Sequence, residues 1–350
     1  MTENKKDKLK NTTFTHMILI TGGTGLVGSH LLYFLLQKED KVRVLHRPTT
    51  QLDRVKTVFG YFTDDVEVLF NKIEWVEGSL TDLDSLERAF DQVTQVYHCA
   101  ALISFDPRDL PHLTKSNVEG TANMVNFSLF HKVEKFCYVS SIATLSTPME
   151  GTEVSEKTPW NPSEEVSVYG FTKHAAEMEV FRGINEGLRA TIVNPGLILG
   201  GGFWRSGSGL FFKMIFKGMK YFTDGKTGYV DVEDVVSIML QLMEKNIFGQ
   251  RYIVIAENWF LKDFIGRVAS EFGVQAPRKK ASKWLLEMGW RLDWLSSKIN
   301  GKKRKLTKNL AKTSVKIQNY SNNKIKEELG FTFKTIEKSI VDTCAKYPKP

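Results

Sequence analysis

The sequence predicts an α/β protein in which a doubly wound parallel sheet carries helices on both faces and a smaller lobe follows towards the C-terminus. Three observations predict this class: apolar strand-like segments alternate with helical ones, a glycine-rich turn follows the first strand, and the alternation stops after Pro195. Strand–helix–strand units form parallel sheets, and right-handed crossovers place the helices on both faces. The predicted strands are 18–20, 42–45, 73–76, 93–98, 135–139 and 190–193.

Helices are predicted between these strands. One follows the glycines through 31–36, and another begins near Thr81 or Asp82 and carries Leu83, Leu86 and Phe90 at helical spacing. Longer helices are predicted over 110–130 and 173–186. Past Pro195, glycines at 200–202, 207 and 209 indicate loops, and aromatic residues follow at 203–216 and 284–295.

These patterns divide the chain into two parts. Residues 14–195 are expected to form a nucleotide-binding domain, to which 229–256 is expected to return. Residues 196–228 and 257–350 are expected to form a substrate-binding lobe. Residues 1–13 are polar and rich in lysine, with no apolar stretch, so they are interpreted as a disordered lead-in and not as a signal peptide.

Composition narrows the class of protein. The chain has 350 residues, of which 42% are hydrophobic and 25% charged, and these values are typical of a globular protein. Its three cysteines form no C-x-x-C pair, so we expect a reducing, cytoplasmic environment and no metal site. No apolar run is long enough to span a membrane, and we expect no integral membrane segment.

The net charge of +8 is concentrated near the C-terminus, because 278–350 contains 19 Lys and Arg but only 6 Asp and Glu. A solvated basic face, attraction of anionic ligands and attraction to a membrane surface all remain open. Nucleic acid is not expected as a partner, since no recognition motif accompanies the charge.

The glycine-rich turn predicts a dinucleotide site. Gly23, Gly25 and Gly28 match G-x-G-x-x-G, and Gly22, Gly25 and Gly28 are also spaced three apart. A strand precedes them and an apolar helical segment follows, which is the context that this fingerprint requires. Small residues there let the backbone approach a pyrophosphate, and the helix N-terminus presents N–H groups to the anion.

The end of the second strand bears on which cofactor binds. A site for NAD usually has an acidic residue there, but this chain has Leu45-His46-Arg47-Pro48. Arg47, with help from His46 or Arg43, suits the 2′-phosphate of NADP; alternatively, Arg47 only stacks on the adenine. We therefore predict NADP and leave NAD open.

Tyr169 and Lys173 form a Y-x-x-x-K pair. Residues four apart on a helix face the same way, so the ammonium group can approach the phenol and favour its ionised form. Without such help a phenol is a poor base at neutral pH. The pair lies downstream of the glycines and of the predicted strand that ends in Val139-Ser140-Ser141.

These features together resemble the extended short-chain dehydrogenase/reductases of the epimerase/dehydratase superfamily, and most of all the branch of the dihydroflavonol reductases and 3β-hydroxysteroid dehydrogenases. The resemblance extends from the first strand nearly to the C-terminus. The matching segments are 21–28, 98–101, 117–121, 139–141, 169–173, 194–196, 230–235 and 320–324.

The resemblance implies a role for each matching residue. Tyr169 would donate or accept the proton, Lys173 would hold the nicotinamide ribose, Ser141 would orient the substrate oxygen, and Asn117 would support the site. It also implies a Rossmann-like sheet and leaves a homodimer open. The expected cofactor-binding residues are Gly22, Gly25, Leu26, Val27, Gly28, Arg47, Ser79, Leu80, Ala100, Ala101, Tyr169, Lys173 and Pro195.

The leading functional hypothesis is an oxidoreductase acting on the carbonyl or hydroxyl group of a fairly apolar small molecule. An aromatic lid is predicted from Phe203, Trp204, Phe211, Phe212 and Phe216, with the neighbouring glycines as hinges.

Two alternatives are kept. A nucleotide-sugar epimerase or dehydratase would use cationic residues such as Arg205, Lys213, Lys217 or Arg251 for the substrate diphosphate. A non-catalytic NADP-binding regulator would not need the set of Ser141, Tyr169 and Lys173.

Overall fold

A seven-stranded parallel sheet forms the centre of the protein in the computed structural model, which describes residues 16–148, 153–304 and 306–348. The strands are β1 (Met17–Thr21), β2 (Val42–His46), β3 (Ile73–Glu77), β4 (Val93–His98), β5 (Lys135–Val139), β6 (Glu153–Val154), β7 (Ala190–Pro195), β8 (Leu197–Leu199), β9 (Tyr221–Phe222), β10 (Lys226–Asp231), β11 (Arg251–Val254), β12 (Glu257–Phe260), β13 (Lys279–Lys280) and β14 (Asn319–Tyr320). The order in the main sheet is β3-β2-β1-β4-β5-β7-β11, with all neighbours parallel. This confirms the predicted doubly wound α/β class.

Helices cover both faces of this sheet. They are α1 (Leu26–Leu35), α2 (Asp53–Phe59), α3 (Val66–Phe70), α4 (Leu83–Phe90), α5 (Leu110–Leu113), α6 (Gly120–Phe130), α7 (Val168–Asn185), α8 (Gly207–Phe216), α9 (Val232–Glu244), α10 (Leu261–Glu271), α11 (Lys283–Asn300), α12 (Lys308–Thr313), α13 (Asn323–Leu329) and α14 (Ile336–Ala345). Helices α1 and α9 pack together on one face, around Leu32 and Met239, and α4, α6 and α7 pack on the other, around Phe90 and Val180.

The six predicted strands all occur within the sheet, but two predicted helices differ in detail. Helix α7 begins five residues earlier than predicted, because the Ser167 hydroxyl caps it by accepting a bond from Gly170 N at 2.9 Å. This places Tyr169 in its first turn. The predicted helix over 110–130 is interrupted by a π-helical turn, Thr114–Glu119, between α5 and α6. Such turns often lie at functional sites.

A second, smaller core lies beyond the main sheet. A three-stranded sheet of order β12-β10-β8 packs against α8, α10 and α14 around Phe212, Tyr229 and Phe264. The prediction of loops at 207 and 209 was wrong, because both glycines lie in α8. Gly207 begins that helix with a positive φ of 54°, and a Cβ on Gly209 would lie 2.2 Å from the Phe203 carbonyl oxygen.

The chain crosses between the two cores more than once. After β10, helix α9 packs on α1, and β11 then joins the edge of the main sheet beside β7. The predicted lead-in at 1–13 lies outside the described residues. No helix in the described part of the chain is long and apolar enough to cross a membrane.

Candidate active site

The predicted site residues gather at one edge of the main sheet, where its parallel strands end. Ligands bind at this edge in open α/β sheets. Gly22 directly follows β1, Arg47 directly follows β2, Pro195 ends β7, and Ala100 and Ala101 lie two and three residues past the end of β4. Ser79 and Leu80 follow β3 closely, and Ser141 follows β5.

The glycine-rich turn forms a cradle that side chains would fill. Gly22 has a positive φ of 70°, and a Cβ there would lie 2.6 Å from Ala100 N. A Cβ on Gly28 would lie 2.2 Å from the Gly22 carbonyl oxygen. Leu26 and Val27 open α1, whose first turn carries no acidic residue and no side-chain cap. The geometry of the turn therefore fits a pyrophosphate at this helix N-terminus.

Arg47 and Arg43 have different surroundings. Arg47 is exposed just past β2, and no described side chain pairs with its guanidinium group. Arg43 is buried, bonds Glu74 at 2.8 Å and donates to the carbonyl oxygens of Ala89 and Asp91. The expectation that Arg43 assists a 2′-phosphate was therefore wrong, because Arg43 holds β2 against β3 and the end of α4.

The turn after β3 is held by its own hydrogen bonds. Ser79 N donates to the Ser85 hydroxyl at 3.1 Å, and the Ser79 hydroxyl lies 3.3 Å from that of Thr81. The Leu80 carbonyl oxygen accepts a bond from the Asn123 amide at 2.9 Å. Ser79 and Leu80 thus lie in an ordered turn tied to α4 and α6.

The Tyr169 phenol lies beside the Ser141 hydroxyl, two residues past the end of β5. Burial raises the pKa of Tyr169 to about 12, although the Ser141 hydroxyl opposes this rise. The Ser141 oxygen also accepts from Ala143 N at 3.1 Å, and the Phe105 ring packs edge-on to the Tyr169 ring with their centroids 5.8 Å apart. The hydroxyl groups of Ser141 and Tyr169 thus lie together, and the apolar ring of Phe105 packs beside them.

Lys173 lies one helical turn away but does not bond the phenol of Tyr169. Its ammonium group donates to the Tyr138 hydroxyl at 2.6 Å and to the Val139 carbonyl oxygen at 2.8 Å. Burial lowers the pKa of Lys173 from 10.5 to about 7, with Glu177 opposing the shift. In this structure Lys173 is not among the groups that shift the pKa of Tyr169, which is set by burial and by Ser141.

A chain of buried polar groups links Lys173 to the glycine-rich turn. Thr121 lies beside the Tyr138 phenol, the Thr121 hydroxyl is 3.0 Å from His98 Nε2, and His98 Nδ1 lies 2.5 Å from the Thr21 hydroxyl. Burial lowers the pKa of His98 to about 3, so this histidine is neutral. Sequence reasoning missed Tyr138, Thr121 and the role of His98, because the bonds join residues far apart in the chain.

Asn117 lies in the π-helical turn and is buried. Its side-chain oxygen accepts from Leu102 N at 2.7 Å, while its amide donates to the Leu102 carbonyl oxygen at 3.0 Å and to the Thr172 hydroxyl at 3.3 Å. Asn117 therefore fixes the loop after β4 against α7, next to Tyr169.

Glu177, which sequence reasoning also missed, is fully buried beneath Ser141. It accepts bonds from the Ser140 hydroxyl at 2.5 Å and the Asn194 amide at 2.8 Å, and it pairs with Arg251 at 2.9 Å. Its place one turn beyond Lys173 on α7 is a spacing signal that could have identified it. Because the Arg251 guanidinium group is paired with Glu177, the expectation that Arg251 holds a substrate diphosphate was wrong.

The predicted aromatic lid is largely part of the second core. Phe203 and Phe212 are buried, and Phe212 packs edge-on against Phe264 and Phe272. Trp204 and Phe216 both contact the Tyr347 ring. Side chains held in a core cannot open and close over a site, so the lid prediction was wrong for these residues.

The fold, the glycine cradle and the set of Ser141, Tyr169 and Lys173 are typical of nucleotide-binding enzymes. Comparison with known proteins shows the family. Residues 18–256 match the model of the NAD dependent epimerase/dehydratase family. The chain belongs to this family and is an enzyme of the extended short-chain dehydrogenase/reductase type.

Named relatives include both reductases and epimerases. The chain is 25% identical to the "Putative dihydroflavonol 4-reductase" of Synechocystis sp. over 92% of each chain. It is 28% identical to the "Sterol demethylase protein B" of Methylococcus capsulatus over 74% of this chain and 76% of the relative.

Solved structures show the same architecture. The crystal structure of gox2253 is 28% identical and has a TM-score of 0.78 over 94% of this chain and 97% of that one. A nucleoside-diphosphate-sugar epimerase from Pseudomonas aeruginosa has a TM-score of 0.74 at 21% identity, over 95% and 97% of the two chains, and so supports the fold alone.

Proposed function

We propose that this enzyme is an NADP(H)-dependent oxidoreductase that interconverts a ketone or aldehyde and an alcohol on a fairly apolar small molecule, with Tyr169 as its acid and base. The observation that carries the proposal is that the Tyr169 phenol and the Ser141 hydroxyl lie together at the strand edge that also holds the glycine cradle. Two hydroxyl groups placed together there can bind one substrate oxygen.

The residues divide the work of carbonyl reduction. The nicotinamide cofactor supplies the hydride when it is bound. Ser141 and Tyr169 hold the carbonyl oxygen and polarise the C=O bond. Because burial keeps the pKa of Tyr169 at about 12, the phenol is protonated at neutral pH and acts as the proton donor to the developing alkoxide.

Three further residues prepare the site. Lys173 is the residue that we expect to hold the nicotinamide ribose, and its ammonium group is already fixed next to Val139 and Tyr138. Asn117 holds the loop after β4, and Glu177 holds the Ser140–Ser141 turn. Fixed partners of this kind keep reacting groups in place, which lowers the barrier to reaction.

The cofactor preference rests on Arg47. Its guanidinium group is exposed and unpaired among the described residues, and no acid ends β2 to accept the ribose hydroxyls. A guanidinium group is suited to bidentate bonds with a 2′-phosphate. NAD remains the alternative cofactor.

An apolar substrate is supported by Phe105 against Tyr169 and by exposed Ile103 on the same loop. The names of two relatives refer to a dihydroflavonol and a sterol, which are both ring compounds without a phosphate group. Epimerisation of a nucleotide sugar is the rival, but the loss of Arg251 to an internal ion pair removes one of its expected diphosphate ligands. The complete Ser–Tyr–Lys set argues against a regulator without catalysis.

We also propose a cytoplasmic homodimer. Cys99, Cys137 and Cys344 are all unpaired, as is typical of proteins in reducing compartments. Helices α6 and α7, which pack side by side, expose the apolar residues Phe130 and Met178 for a partner subunit. Sedimentation velocity of the purified protein tests the dimer.

A substrate panel tests the activity. Purified enzyme is incubated with NADPH or NADH and with steroid ketones, flavonoid ketones, aliphatic aldehydes or nucleotide sugars, and the loss of absorbance at the reduced nicotinamide band is followed. We expect turnover of bulky apolar carbonyl compounds with NADPH. Turnover confined to nucleotide sugars, detected by chromatography with no net cofactor oxidation, would replace this proposal with the epimerase.

A further inference from the structure

Helix α11 turns its most apolar face away from the protein. Trp284, Leu292 and Ile299 are 70%, 59% and 73% exposed, whereas Ser297 is the helix's one buried residue. At about 100° per residue, the apolar side chains fall in one stripe along the outer face. The stripe, called here the α11 stripe, consists of Trp284, Leu285, Met288, Leu292, Leu295 and Ile299.

The opposite face, which carries the half-buried Leu286 and Trp290, is attached to the protein through polar contacts as well. Asp293 accepts a bond from Leu306 N at 3.2 Å, and the Ser297 hydroxyl donates to the Lys302 carbonyl oxygen at 2.7 Å. Gly289 faces the Leu306 side chain where α11 packs near α12. The fold therefore holds this helix without burying the α11 stripe, whereas an ordinary surface helix turns its widest apolar stripe to the core.

Positive charge borders the α11 stripe. Residues 283–303 contain five Lys or Arg and two Asp or Glu. Lys283, Arg291 and Lys298 lie along one edge of the stripe, and the Lys298 ammonium group lies 4.4 Å from the centre of the Trp294 ring. Of the two acids, Asp293 is on the attached face and Glu287 is paired with Arg291.

We propose that α11 docks this enzyme on an anionic lipid bilayer, with its axis in the plane of the interface and the α11 stripe among the outer acyl chains. An apolar face bordered by Lys and Arg, with tryptophans beside it, is the pattern of interfacial helices. A second copy of this chain is the rival occupant. Pairing two copies through the stripe would bring their cationic edges into one interface, whereas anionic headgroups neutralise them.

The C-terminal end of α11 lies next to the candidate active site. The Lys302 carbonyl oxygen accepts from Arg108 at 3.0 Å, Arg304 N donates to Asp106 at 3.2 Å, and Phe105, the neighbour of Asp106, packs on Tyr169. Docking would hold the site close to the lipid surface, where an apolar substrate concentrates. The docking proposal itself does not depend on the proposed chemistry.

Vesicle sedimentation tests the proposal on the full chain. The protein is mixed with vesicles of phosphatidylcholine alone or with 30% phosphatidylglycerol, and the pelleted fraction is measured. Leu292→Glu is compared with Val68→Glu, a matched control on α3, because the two residues are equally exposed at 59% and 60%. Lys283→Glu with Lys298→Glu tests the charge separately. Circular dichroism and thermal unfolding check that each variant is folded.

We expect the unaltered protein to bind anionic vesicles at least tenfold more tightly than neutral ones. Leu292→Glu and the double lysine variant should each reduce binding at least tenfold, and Val68→Glu should leave it unchanged. No binding by the unaltered protein, or equal binding by Leu292→Glu and Val68→Glu, would overturn the proposal. A dimer that Leu292→Glu converts to a monomer, without vesicle binding, would assign the stripe to a second copy.

Discussion

Replacement of Lys173 by methionine should show how much the buried charge of Lys173 lowers the free energy of unfolding. Lys173 is 1% exposed, and burial lowers its pKa from 10.5 to about 7. At 1.36 kcal/mol per pH unit, such a lowering corresponds to on the order of 5 kcal/mol of lost stability wherever the folded protein holds the charge. Methionine fills a similar volume without a charge, so Lys173→Met removes this cost together with two hydrogen bonds.

The free energy of unfolding depends on pH because the pKa of Lys173 is about 7 in the folded protein and 10.5 in the unfolded chain. Between about pH 7 and 10.5 the unfolded chain keeps the proton on this lysine while the folded protein releases it. Folding of the unaltered enzyme therefore becomes more favourable as pH rises through this window. The stability advantage of Lys173→Met should be constant below about pH 6 and should shrink by roughly 2 kcal/mol between pH 7 and 9. The lost bonds to Tyr138 and Val139 shift this difference by an amount that does not change with pH.

Urea unfolding followed by tryptophan fluorescence measures the effect. The free energy of unfolding of both proteins is determined at pH 6, 7, 8 and 9, without cofactor, and the difference is plotted against pH. Lys220→Met, at an exposed lysine, is the matched control and should show a flat difference. A flat line for Lys173→Met as well would refute the view that burial sets the pKa of Lys173.

Three other substitutions test separate parts of the site. Arg47→Asp should weaken NADPH binding about tenfold or more relative to NADH, since charged hydrogen bonds contribute roughly 1.5–3 kcal/mol; equal effects on both cofactors, measured by calorimetry, would contradict the phosphate role. Gly28→Ala should abolish cofactor binding, because its Cβ would lie 2.2 Å from a carbonyl oxygen, whereas Gly266→Ala, with open space around it, should leave binding intact. Glu177→Gln should lower the free energy of unfolding by roughly 3 kcal/mol, because it leaves Arg251 without its buried charge partner; a loss below about 0.5 kcal/mol would show that this pair is not important for stability.

The sheet was predictable because its strands are marked clearly in the sequence. Runs such as 42–45 and 135–139 are apolar, short and bounded by polar residues, so their existence follows, and their alternation with helices predicts that they are parallel. Helix α8 was not predictable, because Gly207 and Gly209 are typical of loops. Gly209 is instead needed where the helix meets the Phe203 backbone, and that contact exists only in the folded protein.

The site was predictable in its position and only partly in its bonds. The order of the glycines, Ser141, Tyr169 and Lys173 along the chain places them at one sheet edge, as the structure does. The partner of Lys173 was not predictable, because Tyr138 approaches it from a strand 35 residues earlier. The pKa of Tyr169 depends on burial by the surrounding chain, including Phe105, and a local spacing rule carries no information about it.

The most direct test of the proposed chemistry is the turnover of Tyr169→Phe. The variant keeps the ring beside Phe105 but lacks the hydroxyl that lies beside Ser141. Tyr221→Phe, which removes a phenol from the exposed strand β9, is the matched control. With the carbonyl substrate identified in the panel, kcat of Tyr169→Phe should fall about a hundredfold or more while its Kd for NADPH is unchanged, and Tyr221→Phe should match the unaltered enzyme. A Tyr169→Phe enzyme that retains near-full kcat would contradict the assignment of Tyr169 as the proton donor.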